Sequence, residues 1–329
     1  MQSNNIKCNV SLIIPVQNAN EELLKLLKLI PRWNALPNEI IIIDSSMPKL
    51  RLPEDFETYC EKFQIKFLLI HSDNLYPGHA RNIGIINATN FLLAFLDTST
   101  HPTKDWLSNS LKIINDNDAD GVWGTTYYEA YSYSTKIFRA CTYGVKPIKT
   151  LPGSVFKKNV FDKCGLFIES VRAGEDGDWM SRVNLQNINM KSSQQFLNYN
   201  QLNNSSFFSL IKKWFVYNSF VAMLPFFRAH KDYYYYAISL IAVLIAFNWN
   251  MIIASWDEES FFYIPNVTKI SIAVILVTYI YLRGILLPLK KGVKKKFIFP
   301  FNFIFISVLS FILDATKALA FTYSKFKKI

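Results

Sequence analysis

Residues 90–106 read NFLLAFLDTSTHPTKDW. The apolar run from Phe91 to Leu96 has the length of a buried strand, and it stops at Asp97, which is followed by small hydroxyl residues, His101 and Pro102. Ligands of open α/β sheets bind at the carboxyl ends of the strands, because the loops leaving those ends line the crevice. Two readings of Asp97 stand on this stretch alone. It is a ligand-facing carboxylate, or it caps the next helix while Thr98, Ser99 and Thr100 form a turn.

Upstream, the same pattern repeats. Val10 to Val16 (VSLIIPV) is a run of branched residues suited to a fully buried strand, and Glu21 to Ile30 then carries leucines at helical spacing. Glu39 to Asp44 (EIIIID) is a second strand ending on an aspartate, and Ile65 to Ile70 a third. Helix-like stretches at Phe56 to Lys62 and Ala80 to Ala88 separate the strands, so the alternation predicts a mostly parallel sheet with helices on its faces. In YPGHARNIG (Tyr76 to Gly84), Pro77 and Gly78 turn the chain and Arg81 and Asn82 ride on the first turn of a helix beside the crevice. Arg81 there meets a phosphate through its hydrogen-bond fork, or pairs with Asp73 or Asp97.

Downstream, Trp106 to Ile114 reads as a helix and Gly121 to Tyr128 as a strand. Ser132 to Lys149, aromatic and basic without clear periodicity, is expected to be a flexible segment over the site. LPGSVFKKNVFDKCGLF (Leu151 to Phe167) predicts a tight Pro-Gly turn, a short strand and a short helix. AGEDGDWMSRV (Ala173 to Val183) then sets Glu175, Asp176 and Asp178 at a helix start, where the helix dipole keeps carboxylates ionised, with Arg182 farther along. A solvated acidic helix start explains the acids. Their place after two aspartate-tipped strands points instead to a general base.

The two ends of the 329-residue chain differ in kind: charged and polar residues are spread through positions 1–206, and from Phe207 the chain turns aromatic, apolar and basic. Much of the net charge of +11 is explained by where Lys290, Lys291, Lys294, Lys295 and Lys296 fall, between two long apolar segments. That placement suits a cytoplasmic loop rather than a nucleic-acid face, and no nucleic-acid motif is present. Four scattered cysteines without a CxxC pair indicate neither a disulfide framework nor a zinc site. The polar start, Met1 to Asn9, lacks the pattern of a signal peptide, so export of the first domain is not expected.

Phe207 to His230 mixes aromatics with Lys212, Lys213, Arg228 and His230, which fits a helix in the lipid headgroup region or a soluble core helix. Spans are expected at about 236–255 and 270–289. Asn248 and Asn250 in the first would need partners inside a helix pair. A third apolar segment, 297–323, is expected to bend or lie in the interface, because Pro300 breaks its start and an Asp314 to Lys317 pair is costly to bury. The acidic connector Trp256 to Asn266 lacks lysine and arginine, which puts the first domain on the cytoplasmic side.

Taken in order, these pieces resemble a family 2 glycosyltransferase of the GT-A fold. IIPVQN (Ile13 to Asn18), IIIDSS (Ile41 to Ser46), ARNIG (Ala80 to Gly84), FLDTSTHP (Phe95 to Pro102), GSVFKKNVFDKCGLF (Gly153 to Phe167) and GEDGDWMSR (Gly174 to Arg182) match that family's motifs in its order, over roughly residues 8–220. Three positions depart from the pattern. Gln17 stands for a tyrosine, Ser99 for the second aspartate of the DxD-type loop, and FLNYNQL (Phe196 to Leu202) lacks a histidine that many members carry.

The resemblance implies a GT-A type, Rossmann-like nucleotide-sugar-binding domain over residues 1–206, an amphipathic interfacial segment over 207–235 and a transmembrane helical region over 236–329. It implies that Pro15, Val16, Asn18, Asp44, Ser46, Gly78, Arg81, Asn82, Asp97 and Ser99 border a UDP- or GDP-type donor, Asp44 recognising the base. Asp176, with Glu175 beside it, would deprotonate the acceptor, and Gly153, Trp179 and Arg182 would lie on the acceptor side. A divalent cation, Mg²⁺ or Mn²⁺, would sit at Asp97, with His101 a further ligand or simply part of a polar turn. The expected function is inverting sugar transfer to a lipid-linked or glycan acceptor at a cytoplasmic membrane face, in contact with membrane lipids. A non-catalytic membrane scaffold on the same fold is the competing class.

Overall fold

The computed structural model describes residues 6–200, 202–203, 206–224 and 232–326. The chain forms two compact units, one of residues 1–135 with 146–221 and one of 136–145 with 222–329.

The first unit is built on a nine-stranded sheet. Strands β1 (Ile6–Val16), β2 (Ala35–Asp44), β3 (Lys66–His71) and β4 (Leu92–Phe95) form its parallel half in the order β3-β2-β1-β4. The chain leaves β1 toward β2 and β3 and returns to β4 on the other side of β1, so a crevice opens at the carboxyl ends where the winding reverses. Strands β6 (Gly121–Tyr128) and β7 (Ile148–Lys157) continue the sheet antiparallel beyond β4. The short strands β5 (Thr100–His101), β8 (Met190–Ser192) and β9 (Leu197–Tyr199) complete it.

Alternation along the branched runs loads both faces with apolar side chains. Leu12, Ile14, Ile40 and Ile42 pack on one face with residues of α1 (Asn20–Leu27), α2 (Glu54–Lys62) and α4 (Trp106–Asp116). Ile13, Ile41 and Ile43 pack on the other with α3 (Pro77–Asn87), α6 (Asn159–Cys164) and α7 (Glu175–Leu185). Runs buried on both faces are what a parallel sheet demands.

Two local expectations are corrected. Pro152 and Gly153 do not turn the chain back but lie inside β7, where the register with β6 slips between the Val122–Val155 and Gly124–Thr150 pairs. Gly153 adopts φ +85°, and a Cβ there would strike Leu197, so only glycine passes through this bulge. The segment expected to be flexible carries a helix, α5 (Tyr133–Cys141), with Ile137, Phe138, Ala140 and Cys141 buried at helical spacing. Its aromatic and basic residues masked that stripe.

The helix α8 (Phe207–Val221) falls in the first unit, with Leu210, Asn218, Ser219 and Val221 buried and Phe208 and Tyr217 exposed. Part of the interfacial segment expected over 207–235, residues 225–231, lies outside the described residues.

In the second unit two helices, Val267–Lys290 and Asn302–Ser324, are long and apolar enough to cross a bilayer, and the first presents nearly all of its apolar surface outward. Near 236–255, where a span is expected, lies a 16-residue helix, Asp232–Phe247, about 24 Å long at 1.5 Å per residue, with a short helix, Trp249–Ile252, after it. Asn248 ends it. Asn250 clamps the following loop, donating to the Ile264 carbonyl (2.8 Å) and accepting from the Ile264 amide (3.0 Å). The third apolar segment is not bent, because Pro300 precedes the helix that starts at Asn302 rather than interrupting it. Its Asp314 does not turn to Lys317 but pairs across to Arg283 (2.7 Å) and accepts from the Tyr279 hydroxyl (2.8 Å).

Candidate active site

Asp44 closes β2 with its carboxylate wholly enclosed. It accepts from the amides of Ser46 (3.0 Å) and Leu50 (2.8 Å) and meets His71 Nδ1 at 2.8 Å. Burial alone would raise its pKa, and the contacts from Ser46, Leu50 and His71 outweigh burial and hold it below the usual carboxylate range. A side chain so enclosed shapes the loop after β2, whereas the family resemblance implies that Asp44 recognises the base. Asn18 and Ser46 staple this loop to the end of β1: the Asn18 amide donates to Ser46 Oγ (2.8 Å), and the Met47 amide donates to Asn18 Oδ1 (3.0 Å). Val16, buried at the strand end, accepts from the Ser45 amide, and Pro15 beside it is half-buried. His71 was missed in the sequence, where a lone histidine at a strand end carries no signal.

Between the two tipped strands and α7 lies one buried arginine. Arg81 donates through Nη1 to Glu175 Oε1 (2.6 Å) and through Nη2 to Asp97 Oδ1 (2.9 Å), and its guanidinium carbon lies 5.9 Å from the Phe167 ring centre. Its side chain is 6% exposed, as is that of Glu175, whereas Asp97 is 35% exposed. The fork is therefore engaged by two carboxylates and is not presented to a phosphate. Burial opposes the charge on Arg81, but Asp97 and Glu175 overcome it and raise its pKa. Burial pushes Glu175 up to about 7, Arg81 pulling it back and Asp176 pushing it further.

Gly78 and Asn82 serve the same junction. A Cβ at Gly78 would strike the Ile168 carbonyl and press on Glu175 Cγ at 3.3 Å, so glycine lets α3 approach α7. Asn82 donates to the Phe167 carbonyl (2.9 Å) and Glu169 (2.8 Å) and accepts from the Phe167 amide (2.9 Å). Both hold the segment leading into α7.

The three acids of α7 are sorted by their partners. Glu175 is held by Arg81, and Asp178 is buried against Arg182 at 2.9 Å. Asp176 is half-buried; one of its oxygens accepts from the Gly177 amide (2.8 Å), and among the described residues the other has no partner. Among the described residues it is the one carboxylate of the three without an arginine partner, and the least buried of them.

The three residues expected on the acceptor side are structural. Trp179 is fully buried among Phe156, Phe161, Phe167 and Trp123 and donates to the Gly165 carbonyl (2.8 Å). Arg182 holds the end of α6 through the carbonyls of Cys164 and Leu166, and the Gly153 carbonyl accepts from Trp106 Nε1 (2.8 Å) inside the sheet. Aromatic packing and the β7 bulge claim them.

The loop after β4 is a tight turn in which the Thr100 amide and hydroxyl both donate to the Asp97 carbonyl (3.0 and 2.7 Å). Among the described residues no three His, Cys, Asp or Glu side chains are grouped to hold a metal. Asp97 offers one uncommitted carboxylate oxygen and Ser99 a hydroxyl. Among the described residues His101 Nε2 is enclosed without a partner, and burial lowers the pKa of the ring, leaving it neutral at pH 7.

Residues 11–168 match the model of glycosyl transferase family 2, a match that ends before α7 begins. The glycosyltransferase AglE of Haloferax volcanii is 26% identical over 163 residues, 48% of this chain and 52% of that protein. An uncharacterized glycosyltransferase of Rickettsia conorii is 28% identical over 178 residues, 51% of this chain and 28% of that protein. The chain thus spans about half the length of the first relative and just over a quarter of the second. A mannosyltransferase from Pyrobaculum calidifontis, solved with GDP-Man and Mn²⁺, has a similar fold, with a TM-score of 0.52 at 12% identity over 96% of this chain and 88% of that one.

Proposed function

We propose that this chain, which carries a glycosyltransferase family 2 domain over residues 11–168, transfers a sugar from a UDP- or GDP-type nucleotide sugar to a lipid-linked or glycan acceptor at the cytoplasmic face of a membrane. The observation that carries the reading is the sorting of the acids at α7. Arginines pair with Glu175 and Asp178, which are buried, and leave the half-buried Asp176 as the carboxylate without a cation and open to a substrate proton. That carboxylate takes the proton of an acceptor hydroxyl as the hydroxyl oxygen bonds to the anomeric carbon, and the glycosyl–phosphate bond breaks to release the nucleoside diphosphate. One base and one displacement invert the anomeric configuration.

Arg81 fixes Glu175 and Asp97 together, so the start of α7 and the loop after β4 keep their spacing through the reaction. One carboxylate oxygen and the Ser99 hydroxyl are too few to hold Mg²⁺ or Mn²⁺ unaided, but they fit a cation that arrives on a diphosphate and brings most of its oxygens with it. When bound, such a cation neutralises charge on the leaving group. The helix Asp232–Phe247, followed by the short helix Trp249–Ile252, and the two long apolar helices cross the membrane in turn, which keeps the basic residues between the last two on the cytoplasmic side with the catalytic domain.

A screen of the full chain in detergent with lipid extract against nucleotide sugars tests this reading, with extract-dependent release of UDP or GDP expected from at least one donor. Nucleotide-sugar binding without release from any donor would favour the scaffold, a reading supported by Ser99 in place of a second carboxylate and by Asp97 being already paired with Arg81.

A further inference from the structure

A cavity in the first unit is lined by Ser99 and His101 together with residues that the site described above does not use. It measures about 260 Å³ and is bordered by Glu22 and Lys25 of α1, Ser99 and His101 of the turn after β4, and Tyr131, Asn200 and Asn203. That is smaller than the roughly 300–1,000 Å³ of sites for drug-sized molecules, and suits a single ring rather than a whole nucleotide.

The lining excludes several ligand classes. One carboxylate and one ammonium leave no excess of positive charge for a diphosphate, and a single carboxylate is a poor cage for a divalent cation. No aliphatic side chain is present for a lipid tail. What remains is a neutral molecule rich in hydroxyls, because a hydroxyl both donates and accepts and the walls offer both. Among the described residues the side chains of Glu22, Lys25 and Ser99 make no hydrogen bond, and the Asn200 amide nitrogen donates to no protein group. Their polar atoms are available to a ligand.

Tyr131 supplies a flat face. The residue is 65% exposed, yet its position is held by hydrogen bonds that its hydroxyl donates to Glu129 (2.5 Å) and, more weakly, to Asn200 (3.3 Å) and that its backbone amide donates to Asn203 Oδ1 (2.9 Å). An exposed aromatic ring kept in place costs little entropy to use and stacks on the C–H face of a pyranose. We propose that this cavity is a subsite for a neutral pyranose ring, with Tyr131 as its platform and Glu22, Lys25 and Asn200 reading its hydroxyls. The proposal rests on the sugar-transfer reading for its biological sense. Ser99 ties the subsite to Asp97, two residues away in the same turn.

The test is calorimetric titration of the full chain in detergent with a panel of neutral methyl glycosides and disaccharides, alone, with UDP or GDP, and with saturating nucleotide sugar. Wild type is expected to bind at least one sugar, Tyr131→Ala to weaken that binding at least tenfold, and Tyr131→Phe to stay within threefold. Nucleoside diphosphate affinity, unchanged in both variants, reports an intact fold. Binding that persists under saturating nucleotide sugar assigns the ring to the acceptor, and binding that is competed away assigns it to the donor. Wild type that binds no member of the panel, or Tyr131→Ala that binds as tightly as wild type, overturns the subsite. Failure of the sugar-transfer reading shows separately, as absence of nucleoside diphosphate release while Tyr131-dependent sugar binding remains.

Discussion

Replacing Arg81 by methionine keeps the length of the side chain and removes the one cation that Glu175 and Asp97 share. Asp97, a third exposed, can recover water, so its share of the loss is at most about 1 kcal/mol. Glu175 cannot. Breaking one side of a buried pair costs about 3–5 kcal/mol, and the lower end applies because Glu175 can escape by taking up a proton. For a unit of this size a loss of about 3 kcal/mol lowers the melting temperature by roughly 6–12 °C. The sign with pH follows from Glu175, whose pKa burial raises from 4.5 to about 7 in the folded protein. Its contribution is full below pH 4.5 and is lost as pH rises through 7, and the loss is larger when Arg81 is absent. The gap between wild type and variant should therefore be widest near pH 8 and narrow toward pH 5.5. Tryptophan fluorescence melts in detergent report it, since Trp33, Trp106, Trp123 and Trp179 are all buried in the first unit. Combining Arg81→Met with Glu175→Gln should cost less than the sum of the two by about 0.5–3 kcal/mol. Additive losses, or an Arg81→Met melt within 2 °C of wild type at pH 8, would refute the buried pair.

At the acid end the sign reverses: Asp44 and Glu39 have folded pKa values below their ordinary ones, despite burial that opposes this, so their stabilisation is present above about pH 4 and lost as pH falls. Asp44→Asn should flatten the fall in melting temperature between pH 5 and 3, and an unchanged slope would count against the role given to its hydrogen bonds. Turnover should need millimolar Mg²⁺ or Mn²⁺, with Ser99→Asp lowering the requirement; full activity after exhaustive chelation would remove the cation from the account. A single cysteine at Glu258 in a variant lacking the four native cysteines should be labelled only from the side opposite the nucleotide site, and labelling from the same side would invert the topology.

The parallel half of the sheet was legible because β1, β2 and β4 are buried on both faces, and that burial writes itself as unbroken branched runs ending at polar residues. The bulge at Gly153 was not, since Pro-Gly signals a turn locally and only the pairing of β7 with β6 keeps the strand going. The cluster of acids at α7 was visible, but their division among Arg81, Arg182 and solvent depends on partners from four to 94 residues away. Trp179 and Arg182 sit in a motif that reads as chemistry and packs as core. Asp314 likewise found Arg283 on a neighbouring helix, a choice that spacing along one helix could not reveal.

Removal of the proposed base, Asp176, is the most direct test. Nucleoside diphosphate release, measured with saturating donor and lipid extract on wild type and Asp176→Asn, should fall by about two to four orders of magnitude, the scale of losing a general base. Nucleoside diphosphate affinity should stay within about twofold, because among the described residues no protein group bonds to the second Asp176 oxygen. Release at the wild-type rate in Asp176→Asn would contradict the account and turn attention to Glu175.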